Sequence, residues 1–170
     1  MNDTQNTAGF TLIELLLYVT IISTLLLAVS FFFASSAALQ VKNQAENDVT
    51  AQADVIMEQM THSLRNADSV TSPVAGSTAA QLTLAVPTAA ASPTIFSLNG
   101  TTLQMREGSG AFIALSSPAV AVTNLQFKNL SRAGTPGAVR ISFTLARVAA
   151  GARDEFNFQR DFATTGALRP

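Results

Sequence analysis

The chain has 170 residues, of which 48% are hydrophobic, with a formal net charge of −1, no cysteine, no tryptophan and a single histidine. That length suits one modest globular domain plus an appendage. The absent cysteines exclude a disulfide framework, a thiolate metal site and a cysteine nucleophile, and the lone His62 leaves little material for a histidine metal centre or a Ser–His triad.

The apolar residues are concentrated at one end. From Leu15 to Phe33 there is no charge, no proline and no glycine, and every acid and base except Asp3 and Glu14 lies at or beyond Lys42. Roughly 20 apolar residues, rising 1.5 Å each in a helix, cross the hydrocarbon core of a bilayer. The run Phe10 to Leu39 is long enough to predict a membrane-spanning helix. One residue breaks its apolar character: Glu14, four positions after Phe10. An acid at the centre of an inserted helix costs roughly 2.5–3.5 kcal/mol, less toward an end, so such a residue points to a function and a partner.

Gly9-Phe10-Thr11-Leu12-Ile13-Glu14 resembles the processing signal of type IV prepilins and type II secretion pseudopilins. The resemblance implies cleavage between Gly9 and Phe10 by prepilin peptidase and N-methylation of the new amine of Phe10. It places Glu14 at the fifth position of the mature chain, where the family's glutamate engages the N-terminal amine of a neighbouring subunit. Pairing two otherwise desolvated charges rewards correct stagger more than it rewards stability. The partners implied are other pilin or pseudopilin subunits, prepilin peptidase, an inner-membrane assembly platform, and membrane lipid before assembly. The implied location is the bacterial cytoplasmic membrane, crossed once with the head outside the cytoplasm, and then the filament.

Two other readings compete on the residues. An ordinary secretory signal would be cut after Ser36-Ala37-Ala38, but its apolar region is too long and its start carries no Lys or Arg. An uncleaved single-pass anchor, whose head binds DNA or a protein ligand, would place Glu14 merely at the interface. The leader departs from the family pattern as well, carrying Asp3 where a base near the cut is usual, so the positive-inside rule gives no orientation.

Beyond Leu39 the pattern turns one-sided. Val41, Ala45, Val49, Ala53, Ile56, Met60, Leu64 and Ala67 recur at steps of three or four, the spacing of a helix with one buried stripe. No proline or glycine interrupts Phe10 to Asp68, so a single helix of about 59 residues is expected through both parts. Major subunits of the resembled family usually carry a proline at a place corresponding to the neighbourhood of Phe31. Its absence here, with no cysteine pair near the C-terminus, implies a minor subunit.

From Ser69 onward, strand-like runs are separated by Gly, Pro, Ser and Asn. Expected strands are Gln81–Val86, Thr94–Leu98, Thr101–Met105, Ala111–Leu115, Val120–Asn129, Ala138–Val148 and Glu155–Ala163. Asn99-Gly100 reads as a type I′ hairpin turn, and Pro87–Pro93 as a loop. Phe156, Phe158 and Phe162 are expected on one strand face beside Arg160. The fold class expected is α+β, pilin-like: a long N-terminal helix, half transmembrane and half amphipathic, packed on a mostly antiparallel β-sheet head. The division expected is a leader over 1–9, a transmembrane and filament-core helix over 10–39, and an amphipathic helix plus sheet over 40–170. The order of elements resembles J-type minor pseudopilins and W-type minor pilins.

Nothing in the head assembles catalytic chemistry, and neither a cofactor nor a metal is expected. Asp154 and Glu155 are adjacent at a strand start and face opposite ways, Gly108-Ser109-Gly110 lacks the lysine and helix of a phosphate loop, and Gly134-Thr135-Pro136-Gly137 reads as a turn. Gln40 to Asp68 holds five acids against two bases, whereas Arg106 onward holds eight bases against four acids. Those bases form no dense run and the phenylalanines among them read as core, which argues against direct nucleic-acid binding.

Overall fold

A computed structural model describes residues 11–132, 137–148 and 158–169. The chain divides into two compact units, Met1–Gln40 and Val41–Pro170, each described by itself. One helix, α1 (Leu12–Arg65, 54 residues), contributes to both.

Among the described residues of the first unit, nothing packs against the helix. Leu12 is 83% exposed and Phe32 70%, and the apolar side chains between them are likewise exposed. Leu12–Ser36 is long and apolar enough to cross a membrane. Four of its hydroxyls turn inward to the helix's own backbone. Thr20 Oγ1 donates to Leu17 O at 2.8 Å, Ser23 Oγ to Val19 O at 2.7 Å, and Ser30 Oγ to Leu26 O at 2.8 Å. Thr24 Oγ1 reaches both Thr20 O at 3.0 Å and Ile21 O at 2.8 Å. These back-bonds satisfy each donor locally, so the surface presented outward is effectively apolar.

The second unit is α+β. Its strands are β1 (Ser69–Ser72), β2 (Thr78–Ala79), β3 (Leu82–Ala85), β4 (Thr94–Asn99), β5 (Thr102–Glu107), β6 (Ile113–Ala114), β7 (Val120–Asn129), β8 (Ala138–Arg147) and β9 (Gln159–Ala167). They form two sheets rather than one, in the orders β1-β3-β4-β5-β6 and β2-β7-β8-β9, and every pairing described is antiparallel. The helical stripe is the seam of the core. Ala45, Val49, Ala53, Ile56, Met60, Leu64 and Ala67 are all buried, while the side chain of Val41 lies outside those described. From Val49 onward they pack with Leu82, Leu84, Phe96 and Leu103 of one sheet and Val122, Phe127, Ile141 and Leu145 of the other. A helix stripe that closes two sheets around one core is what holds this unit together.

Three details differ from expectation. The β4–β5 turn is one residue late: Asn99 pairs with Thr102, so Gly100 and Thr101 are the turn residues. Only Gly100 has positive φ (60°) there, the pattern of a type II′ turn rather than I′. The last strand is also displaced, running over Gln159–Ala167 where Glu155–Ala163 was expected. Glu155 and Phe156 lie outside the described residues, as do Asp154 and Gly134-Thr135-Pro136. Finally, β1 and β2 carry no apolar alternation and were not anticipated. Asn129 ties the segment between them to β7: its Nδ2 donates to Pro73 O at 2.7 Å, its carbonyl accepts from Gly76 N–H at 2.9 Å, and its Oδ1 accepts from Ser131 N–H at 2.9 Å.

Candidate functional site

The residues singled out at the N-terminus fall at the first turn of α1. Thr11 is the N-cap: its carbonyl accepts from Glu14 N–H at 3.1 Å and Leu15 N–H at 3.2 Å, and its Oγ1 accepts from Glu14 N–H at 3.3 Å. A hydroxyl residue three positions before a glutamate is the spacing that satisfies orphan donors at a helix start. The carboxylate of Glu14, half-buried, stands in that first turn, where the helix macrodipole favours negative charge.

Tyr18, one turn later, donates its hydroxyl to Glu14 Oε1 at 3.1 Å. Neither Thr11 nor Tyr18 was identified from sequence. The signal was present in the three- and four-residue spacings that bring side chains together on one helix face. Among the described residues no partner takes Glu14 Oε2, so the carboxylate keeps acceptor capacity for a donor from elsewhere. Gly9 and Phe10 lie outside the described residues. The site is thus an anchored, capped carboxylate at the mouth of a fully exposed apolar helix.

In the second unit the charged residues are dispersed. Asp48 Oδ2 and Arg147 Nη2 form an ion pair at 3.8 Å, with side chains 49% and 24% exposed, a partly screened contact worth little. Arg106 lies over Phe112 at 4.8 Å and Arg160 over Phe162 at 5.7 Å, and Phe162 stacks on Phe143 at 5.8 Å. Phe162 and Phe158 are partly buried against the core, as a half-buried strand face requires. His62 is exposed in the last turn of α1, its ring nitrogens 3.3 Å from Asn66 Nδ2. A cleft of about 720 Å³ beside it mixes Arg65 and Arg169 with Asp68 and Glu107. Among the described residues no cluster of His, Asp or Glu has the arrangement to hold a metal ion.

Residues 4–30 match the family model described as the prokaryotic N-terminal methylation motif, a span that includes Gly9, Phe10, Glu14 and Tyr18. The match supports the type IV pilin and pseudopilin family. No curated protein and no solved structure matches the chain.

Proposed function

We propose that this chain is a minor pilin or pseudopilin, a structural rather than enzymatic subunit of a type IV pilus-like filament serving adhesion, motility, DNA uptake or secretion. Prepilin peptidase cuts between Gly9 and Phe10 and methylates the Phe10 amine. The exposed apolar helix then leaves the membrane, through an assembly platform, for lateral packing against the helices of other subunits. Glu14 sets the axial register by accepting the charged amine of a neighbouring Phe10. The observation that carries this reading is the arrangement of Gly9, Phe10 and Glu14 in register where the unpartnered helix begins.

The helix chemistry agrees with both of its environments. An apolar surface in which Thr20, Ser23, Thr24 and Ser30 are back-bonded suits lipid and a bundle of like helices equally, so transfer between them leaves these donors satisfied. Within that surface Glu14 is the one group whose energy depends on which neighbour it meets. A correct stagger compensates two buried charges, and a wrong one strands both.

A second reading, the uncleaved anchor with a ligand-binding head, is favoured by the leader's lack of Lys and Arg. Expression with and without an active prepilin peptidase separates the two. Gly9→Ser is expected to slow or stop the conversion to the shorter chain seen on a gel, because the peptidase must accommodate a side chain next to the scissile bond. Equal conversion of Gly9→Ser and the native chain would count against this cut site.

A further inference from the structure

The outer face of the four-stranded sheet carries a charge arrangement that the fold itself does not use. Lys128 of β7 and Arg140 of β8 are direct cross-strand partners, and both are exposed. Like charges placed directly opposite on an antiparallel pair repel and destabilise the sheet. No acid offsets them: among the described residues neither cation has an ion-pair partner. Asp161, the acid on the same face, is engaged elsewhere, its Oδ1 accepting from Thr144 Oγ1 at 2.6 Å.

The two cations border a depression of about 220 Å³ whose lining is Thr78, Gln126, Lys128, Arg140 and Ser142. The registers explain why these five meet. Thr78 pairs with Lys128, and Gln126 pairs with Ser142 two residues along the same ladder that joins Lys128 to Arg140, hence on the same face. Every one of the five side chains offers an N–H or O–H donor, and none is a carboxylate or an apolar group. The guanidinium fork matches two oxygens of a tetrahedral oxyanion, the ammonium supplies a point charge, and the hydroxyls and amide reach the remaining oxygens. A carboxylate ligand, with two oxygens, would leave donors of this set unused.

We propose that this depression is a binding site for a phosphate-type oxyanion. The bound anion removes the Lys128–Arg140 repulsion that the free fold tolerates. The site belongs to the head alone and stands whether or not the chain enters a filament.

The test uses the full chain in an uncharged maltoside detergent, with inorganic phosphate titrated against chloride at constant ionic strength. A ligand that binds only the folded state raises the unfolding midpoint. Phosphate at about ten times its dissociation constant is expected to raise the native midpoint by several degrees, roughly 3–8 °C. Lys128→Gln and Arg140→Gln should each start from a higher midpoint without phosphate and lose the phosphate-dependent rise. Arg169→Gln, which lines the cleft beside His62 and not this depression, should keep it. An equal rise in all variants, or one that chloride reproduces, would overturn the site, and a lowered midpoint for both Gln variants would overturn the repulsion. If a short oligonucleotide displaces inorganic phosphate, the oxyanion is supplied by a phosphodiester. If only phosphate monoesters displace it, the ligand is a small metabolite or free phosphate.

Discussion

Glu14→Ala is expected to leave removal of the leader intact and to reduce incorporation into filaments at least about a hundredfold. In the proposed reading the peptidase acts at Gly9-Phe10, before any neighbour is met, so loss of a carboxylate one helical turn away spares the cut. Assembly differs because, on the same proposal, it buries the Phe10 amine among apolar helices. Removing one partner of a buried ion pair costs about 3–5 kcal/mol, since the remaining charge stays desolvated. Each 1.4 kcal/mol is about a factor of ten, so the loss per contact is about two to three and a half orders of magnitude. Glu14→Gln discriminates further: it keeps an oxygen for the Tyr18 hydroxyl, now 3.1 Å from Oε1, but cannot neutralise the amine. It should therefore fail in assembly nearly as badly as Ala. The check is immunoblotting of the sheared filament fraction beside the processed pool in the membrane, and normal incorporation of Glu14→Ala would remove the register role.

Gly108→Ala carries the largest expected effect on the head's stability. Gly108 has φ +53°, and a Cβ there would run into the backbone carbonyl oxygen of Ala90. Its N–H also donates to Ala91 O at 3.1 Å and Pro93 O at 3.0 Å, pinning the 87–93 loop to the end of β5. The left-handed conformation costs an L-residue about 1–2 kcal/mol. Displacing the loop loosens two hydrogen bonds, each worth about 0.5–1.5 kcal/mol. Together these give a loss of about 2–5 kcal/mol by denaturant unfolding of the full chain. Gly100→Ala and Gly76→Ala are matched controls: φ is +60° and +81°, and nothing lies within 4 Å of the added carbon. Both should lose only the conformational part. A Gly108→Ala midpoint no lower than that of the controls would mean the loop yields freely.

The helical stripe was the most legible feature of the sequence because its physics is local: period, absence of breakers and one apolar face decide it together. The sheets were less legible, since pairing depends on residues far along the chain. In β7, Val120 and Val122 point inward and so do Leu125 and Phe127, although an unbroken strand would put these two sets on opposite faces. The structure reconciles them with a bulge between Thr123 and Gln126, where Asn124 takes φ +52°. The shift from even to odd apolar positions was visible beforehand, and an asparagine at the crossing is a residue that tolerates this conformation.

The last strand was expected to stop at Ala163, whereas Gly166 pairs with Val139 inside the sheet. The glycine is there for closeness, since a Cβ would sit 2.8 Å from Leu64 Cδ1 of α1. No local pattern reveals such a contact. The N-terminal site divided along the same line. Gly9, Phe10 and Glu14 stood out as a motif in an apolar run, while Thr11 and Tyr18 blended into the helix they cap and support.

The central claim is that this chain is a processed subunit, and the intact mass of the protein from cells with active prepilin peptidase tests it most directly. A chain that begins at Phe10 and carries one added methyl group is the predicted result. A chain that retains Met1 despite an active peptidase would contradict it, leaving a membrane-anchored domain in which Glu14 has no amine to receive.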